Sequence, residues 1–474
     1  MHFCSQIFLF FFVAIFALYW LTPSPRARVW LLLAASFGFY ATWNHWLALL
    51  IGVSTLADYC MARGMEASSR PALRRFLLIL SLVGNLSLLA YFKYANFFLQ
   101  SLNDGLSAAG LAPSLALLDV IVPVGISFYT FEAINYMVDV FRRKIPAERD
   151  LGNFMLFITF FPHLVAGPIV RARDFLPQIK RPKQWNWARI QLGVALFLLG
   201  LFKKLALADT MAVVADPIFK TPDAYRTHTV WLAVFCYAIQ VYCDFSGYTD
   251  MAIGLAHLFG YKLTPNFNMP YLAANIGEFW RRWHISLSNW LRDYLFIPLG
   301  GSRGGEWRTA RNLLITMTLA GLWHGASWNY VIFGTLQGIM LVSQRWFAQW
   351  VRQFPRIDAA LTSPLGTVGR VGVTFVSFCC TLVVFRATTL ERTGRMFERM
   401  FVPEGGLGTP MSATGLAWLF LVVILGHWLG ARRWPRLAAV RIPWQAVAVG
   451  YCAALMASLI LAPKSGQAFV YFQF

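Results

Sequence analysis

Between Arg311 and Arg345 the chain runs for 33 residues without a single Asp, Glu, Lys or Arg. A helix crossing lipid needs about 20 apolar residues, and comparable runs recur near 6–22, 29–53, 76–99, 115–141, 151–170, 188–208, 229–260, 312–344, 368–389, 413–430 and 443–462. Hydrocarbon offers no water to satisfy backbone N–H and C=O groups, so segments at that depth must bond internally as helices. The expected fold is an all-α polytopic membrane protein, a bundle of about 11 embedded helices forming one domain over 1–474. The chemically suggestive motifs fall in a core of roughly 120–345.

Composition agrees. Only 13% of the residues are charged and 58% are hydrophobic, whereas a soluble domain carries about 25% charge. The charge is lopsided, 41 Lys+Arg against 21 Asp+Glu. Because the basic residues sit in short loops between apolar runs, they read as topology signals and as attraction to anionic lipid or ligands, not as a nucleic-acid surface. Seven cysteines lie mostly inside apolar runs with no CxxC pair, the pattern of buried free thiols. The apolar stretch Phe8 to Trp20 lacks a basic leader and a small-residue cleavage site, so it reads as a retained first span.

Two segments depart from simple spans. Residues 151–170 contain Pro162, Gly167 and Pro168 and are flanked on both sides by basic clusters, which predicts a broken segment that enters the membrane, faces a protein-lined cavity and returns. Over 275–311, helical winding places Trp280, His284, Leu287 and Leu291 on one face beside Trp283, Trp290 and Tyr294. Arg282, Ser286, Asn289 and Asp293 fall opposite. That pattern predicts an interfacial amphipathic helix with tryptophans at headgroup depth. A conflict between basic clusters on either side of 29–53 suggests that this stretch is paired or re-entrant.

Inside the uncharged run sits Gly321-Leu322-Trp323-His324-Gly325-Ala326-Ser327-Trp328. Wound from Arg311, His324 lies about 20 Å into the bilayer at about 1.5 Å per residue. Imidazole, with an ordinary pKa of about 6.5, suits proton removal from a hydroxyl near neutral pH. The flanking glycines strip bulk from its surroundings and would let another chain or a ligand come close. A membrane histidine can also simply bond across helices; the glycines and the uncharged run favour the functional reading.

Asp244, Ser246, Tyr248 and Asp250 interrupt another apolar stretch. Carboxylates at bilayer depth are costly, so these either pair with arginine, cap a broken helix, or touch substrate. His163, in the broken 151–170 segment, either lines a cavity or is structural, the second being the simpler reading. His2, His45, His228, His257 and His427 are background. No pair of histidines or acids stands at metal-ligand spacing on a shared helix face, so neither a metal nor a bound cofactor is expected.

Gln240 to Asp250, Phe279-Trp280-Arg281-Arg282-Trp283-His284-Ile285-Ser286-Leu287-Ser288 and Gly321 to Ala326, with Phe128-Tyr129-Thr130-Phe131 and the terminal Tyr471-Phe472-Gln473-Phe474, carry a resemblance over nearly the whole chain. The sequence resembles the membrane-bound O-acyltransferases. Within them it is most similar to the bacterial branch of alginate O-acetyltransferase membrane subunits, with the D-alanyl transfer proteins of teichoic acid synthesis more distant. The resemblance implies that His324 is the catalytic histidine and that His284 occupies a second important position. It also implies a central tunnel in which a cytosolic thioester meets the histidine, and a periplasmic acetyltransferase of the SGNH type that completes transfer within an exopolysaccharide synthesis machinery.

Together these readings give an O-acyltransferase of a bacterial inner membrane, passing acetyl from acetyl-CoA toward an exported polysaccharide such as alginate. His324 serves as general base; Trp323 excludes water beside it. Arg281 and Arg282, with His284, hold donor phosphates or set the segment's depth, since guanidinium binds anions well; Asp244, Ser246, Tyr248 and Asp250 complete the candidate substrate contacts. Two rivals from other classes are a transporter or flippase, which would often show repeated halves, and a scaffold for a synthesis complex, in which His324 would be dispensable.

Overall fold

The computed structural model describes residues 2–112, 115–165, 167–432, 444–463 and 469. The terminal motif Tyr471 to Phe474 lies outside the described residues. Helix follows helix, and local chemistry starts the first three. Ser5 caps α1 (Gln6–Leu21). Ser24, with Pro25 in the first turn, starts α2 (Pro25–Ala41), and Asn44 caps α3 (His45–Ala67), accepting from the amides of Trp46 and Leu47. Side-chain oxygens and first-turn prolines are the residues that satisfy or dispense with orphan N–H groups. The stretch 29–53 is thereby two helices meeting at Thr42 to Asn44, the paired arrangement that its flanking charges suggest.

After α3 come α4 (Pro71–Ala108), α5 (Ile126–Phe141), and the short α6 (Leu151–Thr159) and α7 (Phe161–Leu164). Then follow α8 (Ala172–Lys180), α9 (Trp187–Lys220) and α10 (Thr227–Leu258). The chain continues through α11 (Ile276–Arg282), α12 (Ile285–Leu291), α13 (Glu306–His324) and α14 (Trp328–Val351). It ends with α15 (Pro355–Thr362), α16 (Pro364–Arg386), α17 (Leu390–Phe401), α18 (Ala413–Gly430) and α19 (Trp444–Leu461). Helices α3, α4, α9, α10, α16 and α18 are long and apolar enough to cross a membrane, and shorter apolar helices lie at Gln6–Leu21, Leu151–Leu164 and Gln445–Leu461. Their outer faces carry bare Ile7, Phe10, Leu21, Leu365 and Val368, a surface that only lipid can solvate.

Contacts divide the chain into two compact units, Met1–Phe197 with Tyr248–Thr264, and Leu198–Gly247 with Pro265–Phe474. In the first, a Cβ on Gly193 would fall 2.9 Å from the carbonyl oxygen of Gly254, so α9 and α10 touch there backbone to backbone, as small residues allow. The 151–170 segment is broken at Phe160, as expected, and much of the break is packed against protein. Phe160, Phe161 and His163 are fully packed; Glu132 on α5 approaches His163 Nδ1 at 3.3 Å and accepts from the amide of Val170 at 2.8 Å. His163 is therefore part of the packing between α5 and the broken segment.

In the second unit the expected single helix over 275–311 is interrupted. Asn275 caps α11, its Oδ1 accepting from the Glu278 amide at 2.8 Å, and α11 stops at Arg282; His284 takes φ 42°, ψ 54°, and α12 begins afresh at Ile285. A left-handed residue rotates the following helix off the wheel. Trp283 and Trp290 are consequently buried in protein and not facing lipid, and Ser286 is buried with them.

Candidate active site

The uncharged run 312–344 does not cross as one rod. Helix α13 ends at His324, Gly325 extends (φ −165°, ψ 156°), and Ser327 caps α14, its Oγ accepting from the Asn329 amide. The two helices form a tight hairpin. A Cβ on Gly321 would lie 2.7 Å from Gly334 Cα, one on Gly334 would lie 2.8 Å from Gly321 Cα, and one on Gly325 would run into the Tyr330 ring. The glycines beside His324 thus admit α14, a neighbour from the same chain, and not a ligand. We expect Gly321→Leu to abolish a monodisperse, folded protein in detergent, whereas Gly372→Ala, with nothing within 4 Å of its Cβ, leaves the chromatographic profile unchanged; equal behaviour of the two would contradict backbone contact in the hairpin.

The hairpin places His324 and Trp323 against elements that a buried polar chain holds in place. Asn329 Nδ2 donates to the carbonyls of Val384 and Ala387 at 3.1 and 2.9 Å and to Thr393 Oγ1 at 3.1 Å. Gln337 donates to Thr381 Oγ1 at 2.7 Å and accepts from Trp280 Nε1 at 3.2 Å. These bonds fix Phe385 edge-on to the His324 ring, with centroids 5.4 Å apart. On the other side Trp323 meets His324 at 5.0 Å and His284 at 5.9 Å, so one indole lies against both imidazoles.

His284 is held by Asn266, which the sequence reading passed over. Its Oδ1 lies 3.2 Å from His284 Nδ1 and accepts from the Ser286 amide and hydroxyl at 3.1 and 2.9 Å, while its backbone oxygen accepts from the Ile285 amide at 2.9 Å. An amide oxygen only accepts, so Nδ1 carries the proton and Nε2 is the basic nitrogen. A left-handed β-carbon-bearing residue costs about 1–2 kcal/mol, and these bonds offset it. Removing the acceptor with Asn266→Leu leaves buried donors unmet, a cost of about 1–3 kcal/mol that a lowered melting temperature would register; unchanged melting would mean that the histidine turn is held otherwise.

Depth follows from Phe245, which meets the His284 ring at 4.7 Å. It lies 18 residues from the start and 13 from the end of α10, about 27 and 20 Å along the axis. The pair of imidazoles is therefore at bilayer depth. Both are buried, His284 wholly and His324 to all but 6% of the residue's surface.

Asp244 sits in an unbroken α10 and pairs with a lysine. Lys204 Nζ lies 2.8 Å from Asp244 Oδ1 and 2.7 Å from Asp209 Oδ1, all three being buried. Ser246 is buried two residues further along the same unit's part of that helix. Tyr248 and Asp250 belong to the first unit, where Tyr248 packs on Phe3 with ring centroids 5.7 Å apart and Asp250 is half-buried. Arg282 turns to Glu278, its Nη2 2.7 Å from Oε1, and Arg281 is exposed. The arginines are at the surface while His284, two residues on, is enclosed, so His284 does not share an anion site with them. Among the described residues no group of three or more His, Cys, Asp or Glu stands close enough to hold a metal.

Comparison with known proteins meets this geometry directly. The family model described as MBOAT, membrane-bound O-acyltransferase family, matches residues 28–385. The chain belongs to that family. It is 43% identical over 403 residues to the probable alginate O-acetylase AlgI of Pseudomonas aeruginosa, covering 85% of this chain and 75% of the relative. It is 38% identical to the peptidoglycan O-acetyltransferase of Helicobacter pylori, covering 79% and 73%, and 26% identical to the teichoic acid D-alanyltransferase of Bacillus subtilis, covering 55% and 68%. The chain is a multi-pass membrane O-acyltransferase, and the transporter and scaffold readings give way.

Proposed function

We propose that this membrane-bound O-acyltransferase takes acetyl from acetyl-CoA at the cytosolic face of a bacterial inner membrane and delivers it outward for O-acetylation of an exported polysaccharide, of which alginate is the leading candidate. The observation that carries the reading is the pair of buried imidazoles packed against the one indole of Trp323, at bilayer depth. The names of the relatives support the acetyl group and the glycan acceptors, since two are O-acetylating and the more distant one transfers D-alanine.

In this reading the acceptor hydroxyl gives its proton to His324 as its oxygen attacks the thioester carbonyl. The carbon–sulfur bond breaks, and the proton passes to the departing thiolate, leaving an ester and free CoA thiol. General-base catalysis of this kind contributes about 10²–10⁴ in rate. Phe385, Phe333 and Trp323 around the ring exclude the water that would hydrolyse the thioester. His284, with its tautomer set by Asn266, is a positioning residue that braces Trp323. A periplasmic SGNH-type acetyltransferase would carry the acetyl group to the polymer.

The test is to supply purified protein in liposomes with labelled acetyl-CoA outside and a soluble glycan inside, and to follow both free CoA thiol and label in the lumen. Coupled release and lumenal label are expected. Release with label found only outside would remove the transmembrane step; no consumption above protein-free liposomes would remove the donor.

A further inference from the structure

Away from the imidazoles, the second unit holds a cleft of about 790 Å³ lined by α14, α15, α16 and the start of α11. Each long helix presents a single stripe to it. On α14 the stripe runs from Met340 through Phe347 to Val351, and on α16 it includes Gly366, Gly369 and Val373. The spacing Met340 to Val351 measures about 16 Å at about 1.5 Å per residue, close to the hydrocarbon depth of one leaflet, about 15 Å. Phe347 and Val373 are half-exposed or more, so the slot opens sideways where lipid lies.

Its mouth is cationic. Arg352 and Arg370 line it with Asp358, two positive charges against one negative, a net of +1. Arg370 sits six residues inside α16, in a segment apolar enough to cross the membrane, and among the described residues its buried Nε has no acceptor. A guanidinium sunk below the interface with an unmet donor calls for an anion. Gly369 meets nothing within 4 Å, so the space beside Arg370 is unfilled.

We propose that this cleft binds one anionic glycerophospholipid of the phosphatidylglycerol kind, its phosphate between Arg352 and Arg370, a glycerol hydroxyl donating to Asp358, and one acyl chain lying along the slot. A +1 mouth matches a single phosphodiester, and the apolar, leaflet-deep, laterally open walls match a chain and not a nucleotide base. The site is independent of the acyl-transfer chemistry.

The experiment is native mass spectrometry of the full-length protein released from nanodiscs of equal phosphatidylglycerol and phosphatidylethanolamine, through graded delipidation. Wild type should retain one phosphatidylglycerol preferentially. Arg352→Gln/Arg370→Gln should weaken that retention about thirtyfold, the value expected for removing two interfacial cations at about 1 kcal/mol each. Gly369→Leu, which fills the slot with the charges intact and has room to fold, should also lose it. Adding CoA or adenosine 3′,5′-bisphosphate should displace nothing, and His324→Ala should bind as wild type does. No lipid preference, retention unchanged in both variants, or displacement by the nucleotide would overturn the assignment, the last by making the cleft a donor site.

Discussion

His324→Ala protein is expected to insert and chromatograph as wild type does but to lose acetyl transfer by at least about 10²–10⁴, the contribution of a positioned general base. The loss should fall on kcat, because the ring's partners are Trp323, Phe385 and Phe333 and not groups that would bind the donor. His324→Gln keeps a polar side chain of similar reach but cannot accept and release a proton at neutral pH, so it should be as inactive as alanine. His284→Ala should be milder and should disturb folding more, since that residue turns the chain between α11 and α12 and touches Phe245. A folded His324→Gln enzyme with wild-type kcat would end the assignment of the base.

The second large effect concerns stability. Lys204→Met removes a cation lying within salt-bridge distance of both Asp209 and Asp244. Two carboxylates then remain in a medium that strongly disfavours them, and breaking a buried ionic cluster from one side costs about 3–5 kcal/mol. We expect severe loss of folded protein and a much lower melting temperature. Adding Asp209→Asn and Asp244→Asn to Lys204→Met should restore most of it, because well-packed neutral groups can replace a buried ion cluster at little cost. If the triple variant melts as low as the single one, and acyl transfer by the folded fraction is lost as well, the triad has a chemical role beyond the ion pairing that sets its position.

Hydrophobic run length was enough to find the helices, because lipid imposes one backbone solution wherever charges are absent. The His324 motif was visible for the same reason, an ionisable group where charges otherwise vanish. What a helical wheel could not register was the turn at His284. A wheel assumes helical backbone at every position, whereas a left-handed residue costs only about 1–2 kcal/mol and is recovered through Asn266, eighteen positions earlier. The pairing of Asp244 with Lys204 is not legible either, because Lys204 is forty residues away, in a widened turn spanning Lys203–Ala208. The glycines flanking His324 were read as an opening since sequence reports missing side chains but not which neighbour fills the room; α14 fills it.

The hairpin of α13 and α14 bears on how such a protein can work across a membrane. Two rods in contact along their main chains at Gly321 and Gly334, with no side-chain layer between them to slide or repack, act mechanically as a single stave. An imidazole mounted at the end of that stave stays at one depth throughout the cycle. Traffic across the bilayer then falls to the small molecules, which must travel inward from opposite sides to a stationary proton acceptor, and no rocking of the protein between two facing states is required.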